Sequence, residues 1–412
     1  MLTYQTLIDD LASGCKPKDQ FRIGLEHEQF AYNIETNKPL PYDGEPGILQ
    51  LLEAFSKAYG WEKISDHGNV IALKNNDNYI TLEPGGQFEY SGAPMLSVAE
   101  AKAAMDKFYA DLGVVAQKLG IGFLAKGFHP QWKLEEVHKM PKPRYDIMGP
   151  YMDRIQSLGK DMMYRACGTQ INLDHSSEAE MVQNLRLSLA IQPVVIALMA
   201  NSSVVEGKDS GYKSYRSHIW MHTDPDRCGI LPFAFEEGMG FARYVDYALD
   251  VPMYFIRRNG EYIDCSGLSF RDFMDGKLSG HEGEYPTMDD WTDHLTTLFP
   301  EVRLKHYLEL RGADCHEPKM VYAMAAFWVG LFYDEAARDK AWDLVKNWSV
   351  DDHQRVRETV PKMGLDTPTP DGRDLSALAQ DILDILPNDD LQPYEDVLAT
   401  YKNIYTGKQA RI

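Results

Sequence analysis

Carboxylates recur in this chain at spacings that set them side by side. Glu26 and Glu28 lie two apart in the run Arg22–Asn33. Glu83 precedes the turn Pro84-Gly85-Gly86, and Gln87 and Glu89 follow it two apart. Glu309 and Arg311 flank Leu310. In an extended chain, residues two apart share a face and stand ~7 Å apart along the backbone. At an effective dielectric near 20, two carboxylates so placed repel by roughly 2 kcal/mol. Glu26, Glu28, Glu83, Glu89 and Glu309 could not share one cleft, all ionised, without a counter-charge. A divalent cation meets that need, and an all-oxygen donor set without thiolates points to Mg²⁺, or to Mn²⁺. Arg216 and Arg311 would then serve carboxylate or phosphate oxygens through their planar forks. A Glu-x-Glu pair is also the ordinary wet face of a strand; the recurrence of the pattern in separate segments is what favours a cleft.

Periodicity indicates the elements that must position these groups. Five runs are predicted extended: Arg22–Asn33, Tyr79–Tyr90, Gly168–Asp174, Tyr215–His222 and Tyr307–Arg311. In the third, Gln170, Asn172 and Asp174 share a face opposite Ile171 and Leu173. In the fourth, Arg216, His218, Trp220 and His222 share one, with His222 expected to be a packed side chain. Joined in one sheet, these strands would have an apolar face against helices and a charged face lining a cleft. Helices are predicted over Val98–Leu119, stopped by Gly120, and from a capping box at Ser177 and Glu180 through Ala200, bent at Pro193. Tyr322–Trp348 and Leu375–Leu386 follow, so the last ninety or so residues read as mostly helical. Asp275–Asp290 and Pro361–Arg373 read as surface loops. Gly120-Ile121-Gly122-Phe123-Leu124-Ala125 matches a dinucleotide fingerprint, but it follows a helix and enters a strand. That is the reverse of the required order, so it reads as a helix stop and strand start. There is no P-loop, nucleophile elbow or His-Glu-x-x-His, so any ATP used here must be held by metals and arginines.

The 412 residues carry 42 Lys and Arg against 62 Asp and Glu, a net charge of −20. This argues against a nucleic-acid or anionic-membrane binder, which needs a basic surface. With 44% hydrophobic and 25% charged residues the chain is ordinarily globular. Its length alone suggests about two to three domains, or one large one. Leu187–Ala200, interrupted by Gln192 and Pro193, falls short of the ~20 residues of a bilayer span. Charge within Met1–Asp10 argues against a leader, and the five cysteines form no C-x-x-C pattern. A reduced, cytoplasmic protein is expected.

The runs FRIGLEHEQFAY, PYDGEPGILQLL, ITLEPGGQFEYSGAP, PRYDIMGPYM, LGKDMMYRACGTQINLDHSSEAEM, YRSHIWMHTDPDR, YVDYALDVPMYFIRRN and EVRLKHYLELRGAD resemble glutamate–cysteine ligases of the plant and alphaproteobacterial type. The likeness is collinear from about Phe21 to Tyr333, with a looser helical tail. It implies an α+β, glutamine-synthetase-like fold: a curved, mainly antiparallel sheet forming a funnel with helices outside. Residues 1–412 would then be one catalytic domain, mostly helical from about 320. The implied activity is ATP-dependent joining of the glutamate γ-carboxylate to the cysteine amine, by way of a γ-glutamyl phosphate. The small-molecule partners are glutamate, cysteine and ATP, and the expected assembly is a monomer or weak homodimer.

Position by position, the resemblance implies Glu26, Glu28, Glu83, Glu89 and Glu309 as Mg²⁺ ligands. Gly85 and Gly86 would let backbone approach the ligand, and Gln87 and Gln170 would sit near the nucleotide. Arg311 would contact phosphate, and Arg216 and Trp220 would hold glutamate. Met163, Arg165 and Asn172 would line the substrates. A ligase using another amine, or a non-catalytic glutamate- or nucleotide-binding relative, is the alternative. Plant members carry two regulatory cysteine pairs. Here Cys265 is kept, but its partner position is Gly280 and another cysteine position is Lys102. That switch cannot form, and five free thiols are expected.

Overall fold

The computed structural model describes residues 2–386 and 388–405. Its centre is a nine-stranded sheet in which every pairing is antiparallel. The strands are β1 (Ile23–Asn33), β2 (Glu62–Asp66), β3 (Asn69–Asn75), β4 (Asn78–Leu82), β5 (Gln87–Ser91), β6 (Ile121–Leu124), β7 (Gly168–Leu173), β8 (Val302–Leu304) and β9 (Leu308–Asp314). They lie in the order β8-β9-β7-β1-β5-β4-β3-β2, with β6 also pairing β1. The helices that matter for the site are α1 (Val98–Lys118), α2 (Gly159–Arg165), α3 (Glu178–Leu198), α4 (Tyr215–Met221), α5 (Pro318–Tyr333), α6 (Glu335–Val345), α7 (Val350–Met363) and α8 (Leu375–Ile385). The molecule is α+β, as the sequence predicts.

Alternation decides which face of the sheet is wet. On β7, Thr169, Ile171 and Leu173 are fully buried in the core, while Gln170 and Asn172 turn to the other side beside Glu26 and Glu309. On β1, Ile23 and Leu25 point to the helices and Glu26 and Glu28 to the cleft. Behind the apolar face runs α3, 21 residues long and almost wholly buried. By length and composition α3 could cross a bilayer, but 89% of its most apolar window is buried inside the protein, where it serves as the central core helix. It is capped by Ser177 Oγ on the Glu180 N–H at 3.2 Å. The Glu180 carboxylate turns instead to the Ser176 N–H and hydroxyl, so only half of the expected capping box forms. The helix continues through Pro193.

Other boundaries differ for local reasons. The predicted helix Tyr322–Trp348 is two helices, because Asp334 leaves helical geometry and caps α6 through the Ala337 N–H at 3.0 Å. The predicted loops 275–290 and 361–373 each overlap a helix by three residues, at Met288–Leu295 and at the end of α7. Gly120, with φ of 68°, stops α1 one residue before β6, as its place in the sequence suggests.

The largest correction is Tyr215–His222, which is a helix and not a strand. Ser214 Oγ accepts the Ser217 N–H at 3.1 Å and starts α4. A spacing of four satisfies both a period of two and one helical turn, so Arg216 and Trp220 still share a face. His218 and His222, the other pair spaced by four, meet with tilted rings whose centres are 4.4 Å apart, and His222 is exposed rather than packed, because it follows the last turn of the helix.

Candidate functional site

The wet face of the sheet, α2, α4, Lys142 and the start of the helix Arg144–Arg154 enclose a cavity of about 320 Å³. Glu26, Glu28, Glu83, Glu89 and Glu309 all line it, with Gln87, Met163, Gln170, Arg216, Trp220 and Arg311. Register puts the acids together. Glu28 lies directly opposite Glu89 across the β1–β5 pair, and Glu26 lies opposite Gln170 across β1–β7. Like charges facing each other across a ladder are destabilising on their own.

The cavity has two electrostatically different ends. At one, Glu28, Glu83 and Glu89 stand together with little counter-charge. Burial, then Glu83 and Glu89, push the Glu28 carboxyl up to about 8. Burial and Glu83 raise that of Glu89, against bonds donated by Thr81 and Ser91 at 2.8 and 3.0 Å. Two cations act on this end from beyond ion-pair distance: Arg216 on Glu28 and Lys142 on Glu89, the Lys142 ammonium donating to the Leu82 carbonyl at 2.6 Å. At the other end, Glu309 meets three cations: Arg303 at 2.5 Å, Arg311 at 3.1 Å and Lys305 at 3.4 Å. Burial alone would raise its carboxyl, but these three hold it well below the usual carboxylate range. Glu26 lies between the two ends. Burial, then Glu309 and Glu89, raise it to about 7, while Asn172 donates to it at 2.7 Å.

A bulge places Arg311. Leu310 pairs with Ile171 and Ala313 with Thr169, so β9 spends one residue more than β7 between the two pairs. The Arg311 guanidinium bonds the Gln170 carbonyl, which orients it over the cleft. Arg216 Nη2 donates to the Arg311 carbonyl at 3.3 Å, and its guanidinium lies 5.7 Å from the Trp220 ring centre. Gly168 leaves room for this guanidinium: a Cβ on it would come within 2.4 Å of Arg216 Nη2 and push the side chain aside.

Several expectations are corrected. Arg165 does not face the cleft: it is buried against Phe128 and bonds Asp161, Glu206 and the Trp132 carbonyl. Asn172 reaches the site only through Glu26. Gln87 spends both its N–H donors on the Met163 and Ala166 carbonyls and accepts the Gly85 N–H, so its amide braces the turn. Gly85 is needed for a protein contact, since a Cβ there would lie 2.4 Å from the Tyr164 carbonyl oxygen. Gly86, with φ of 81°, completes the turn. Cys167 and Cys315, 148 residues apart in sequence, are neighbours in space: the Cys315 N–H donates to the Cys167 carbonyl at 3.1 Å, beside β7 and β9. All five cysteines are free.

Lys142, Arg144, Arg303 and Lys305 also line the cavity, and sequence reading assigned them nothing. Arg303 and Lys305 were visible as an alternating pair in Val302-Arg303-Leu304-Lys305, one strand before the one predicted. Lys142 and Arg144 come from a loop and a helix start, where no periodicity marks them.

The family model described as glutamate–cysteine ligase family 2 matches residues 22–405. The chain belongs to that family. It is 50% identical over 382 residues to the chloroplastic glutamate–cysteine ligase of Nicotiana tabacum, covering 93% of this chain and 72% of that one. It is 49% identical over 387 residues to the chloroplastic glutamate–cysteine ligase B of Oryza sativa subsp. japonica, covering 94% and 77%. The fold is shared with a glutamate–cysteine ligase from Francisella tularensis solved in complex with AMP, at a TM-score of 0.53 and 12% identity over 95% of this chain and 85% of that one. The relatives are chloroplastic enzymes, which overturns the cytoplasmic expectation: charge near an N-terminus does not report the compartment.

Proposed function

We infer that this protein ligates the γ-carboxylate of L-glutamate to the amine of L-cysteine at the expense of ATP. The product is γ-glutamylcysteine, the first intermediate of glutathione synthesis. The observation that carries the site assignment is the two-ended cavity, with bare carboxylates at one end and arginines and a lysine at the other. One end suits a cation that accompanies a triphosphate; the other suits anionic oxygens of a phosphoryl group and a carboxylate substrate.

Among the described residues no three His, Cys, Asp or Glu side chains already close on one point as a metal cage. An open set of oxygen donors fits Mg²⁺ or Mn²⁺, which keep waters and bridge to phosphates. Glu28, Glu83 and Glu89 would hold it, with Glu26 at the boundary and Glu309 shared with Arg303, Lys305 and Arg311. When bound, it supplies positive charge that neutralises the triphosphate.

The side chains then divide the work. Arg216, backed by Trp220, holds glutamate, while Arg311, aimed by Gln170, takes charge building on the transferring phosphoryl group. The glutamate γ-carboxylate attacks the γ-phosphorus, ADP leaves, and the resulting acyl phosphate is attacked by the cysteine amine with loss of phosphate. Met148, Met162, Met163 and Phe299 form the apolar part of the wall and exclude water that would hydrolyse the acyl phosphate. Residues 1–412 act as one catalytic domain, as a monomer or weak homodimer. The helices after residue 317 are tied to the sheet directly, where α5 packs on β7 and β1, and through α3, which packs on both β9 and α7.

The test is ADP release with glutamate, Mg²⁺ and a panel of amines. Cysteine-stimulated turnover is the expected result. Preference for another amine would move the acceptor, and no turnover with any amine would refute a ligase.

A further inference from the structure

Arg216 is aimed into the cleft by a helix of only seven residues, and something outside α4 must hold that helix in place. The ties converge on Asp314, the last residue of β9, which is 1% exposed. Its Oδ2 accepts the Asn201 N–H at 2.8 Å and the Ser202 hydroxyl at 2.6 Å, and its Oδ1 accepts the Ser214 hydroxyl at 2.7 Å. Each hydroxyl, oriented by giving its proton to Asp314, accepts from the first turn of α4. Ser202 Oγ takes the Arg216 N–H and Ser214 Oγ takes the Ser217 N–H, both at 3.1 Å. The packing leaves no slack, since a Cβ on Gly127 would lie 2.3 Å from the Asp314 carboxyl carbon.

We propose that Asp314, acting through Ser202 and Ser214, is a positioning residue that sets Arg216 for glutamate. The inference rests on the reading of Arg216 as a glutamate ligand. One strand then carries the whole arrangement. Glu309 and Arg311 reach the cleft from before and within the bulge, and Asp314 beyond it anchors the helix bearing Arg216 and Trp220. The second tie, from Arg216 Nη2 to the Arg311 carbonyl, joins the guanidinium to the same strand. Only a carboxylate suits the hub, because three donors meet there. An asparagine keeps the shape, but turns N–H groups toward donors and leaves a single oxygen to accept. A shift of about 1 Å in a positioning contact is enough to cost a hundredfold in rate.

The test compares Asp314→Asn, Ser202→Ala and Ser214→Ala with Arg216→Lys, measuring KM for glutamate and for ATP separately. The expected result is a glutamate KM raised at least tenfold by Asp314→Asn and several-fold by each serine variant, with the ATP KM within twofold of the parent. Should Asp314→Asn not fold, the serine variants carry the same reading. If Arg216→Lys raises the glutamate KM while the other three change only melting temperature or kcat, the positioning role is overturned and Arg216 keeps its own. If Arg216→Lys leaves the glutamate KM unchanged, the glutamate site itself is misassigned and the inference falls with it.

Discussion

Loading the cleft with a divalent cation must expel protons. With Glu28 pushed up to about 8 and Glu26 to about 7, the first is roughly nine-tenths protonated at pH 7 and the second half protonated. A cation binds the ionised forms, so loading at pH 7 should release on the order of one proton or more. Titration calorimetry with Mn²⁺ in buffers of different ionisation enthalpy reads that number directly. Affinity should rise steeply from pH 6 to 8 and level off above about 8.5.

The same groups set the stability of the metal-free protein, with a definite sign. Both carboxyls have folded values above the ordinary 4.5, so the folded state keeps protons that the unfolded chain has lost. Stability is therefore greatest below about 4.5 as far as these groups are concerned, and it is lost as pH rises through 7 to 8. For Glu28 alone the full effect is about 5 kcal/mol. Saturating Mn²⁺ should flatten the decline, and Glu28→Gln should flatten it without metal. Release of fewer than roughly 0.3 protons, with affinity flat between about pH 6 and 8.5, would refute the account of the acid end.

Four further outcomes follow from the geometry. Glu26→Gln, Glu83→Gln and Glu309→Gln should each abolish turnover, and normal Mg²⁺-dependent activity in all three would remove the metal assignment. In metal-free buffer Glu28→Gln should melt higher than the parent, whereas Glu309→Gln should melt lower by about 3–5 kcal/mol of stability, because three cations lose their partner. Gly85→Ala should cost about 1–3 kcal/mol by calorimetry, since the new methyl meets the Tyr164 carbonyl, and an unchanged melting temperature would show that the turn can yield. Alkylation and mass measurement should count five free thiols in the unfolded protein, with Cys167, Cys265 and Cys315 protected in the native one and turnover indifferent to dithiothreitol. Burial raises these three thiols and keeps them from acting as thiolates.

Alternation made much of this legible in advance. Strands β1, β4, β5, β7 and β9 show their wet faces in the letters, because side chains of a strand alternate whatever the strand packs against. That local rule collected Glu26, Glu28, Glu89 and Glu309, while Glu83, one residue past β4, was placed by the turn it precedes. It misled at Tyr215–His222, where Arg216 and Trp220 satisfy two periods at once and the helix start is marked only by Ser214, whose hydroxyl accepts the Ser217 N–H while donating to Asp314.

Residue type and spacing determined by themselves that the strand glutamates and Arg311 would share one face of a sheet, since both follow from covalent geometry and charge, whereas Arg216 arrives from helix α4. Tertiary structure alone decided which acids stay bare and which are neutralised. Arg303 on the neighbouring strand and Lys305 just after it reach Glu309, while among the described residues Arg216 and Lys142 act on Glu28 and Glu89 only from beyond ion-pair distance. It also decided that Arg165 and Gln87 are braces, because their partners come from segments up to 79 residues away and no local pattern encodes them. Charge state in a buried cleft depends on which counter-charges come within a few ångströms, and chain separation says nothing about that distance.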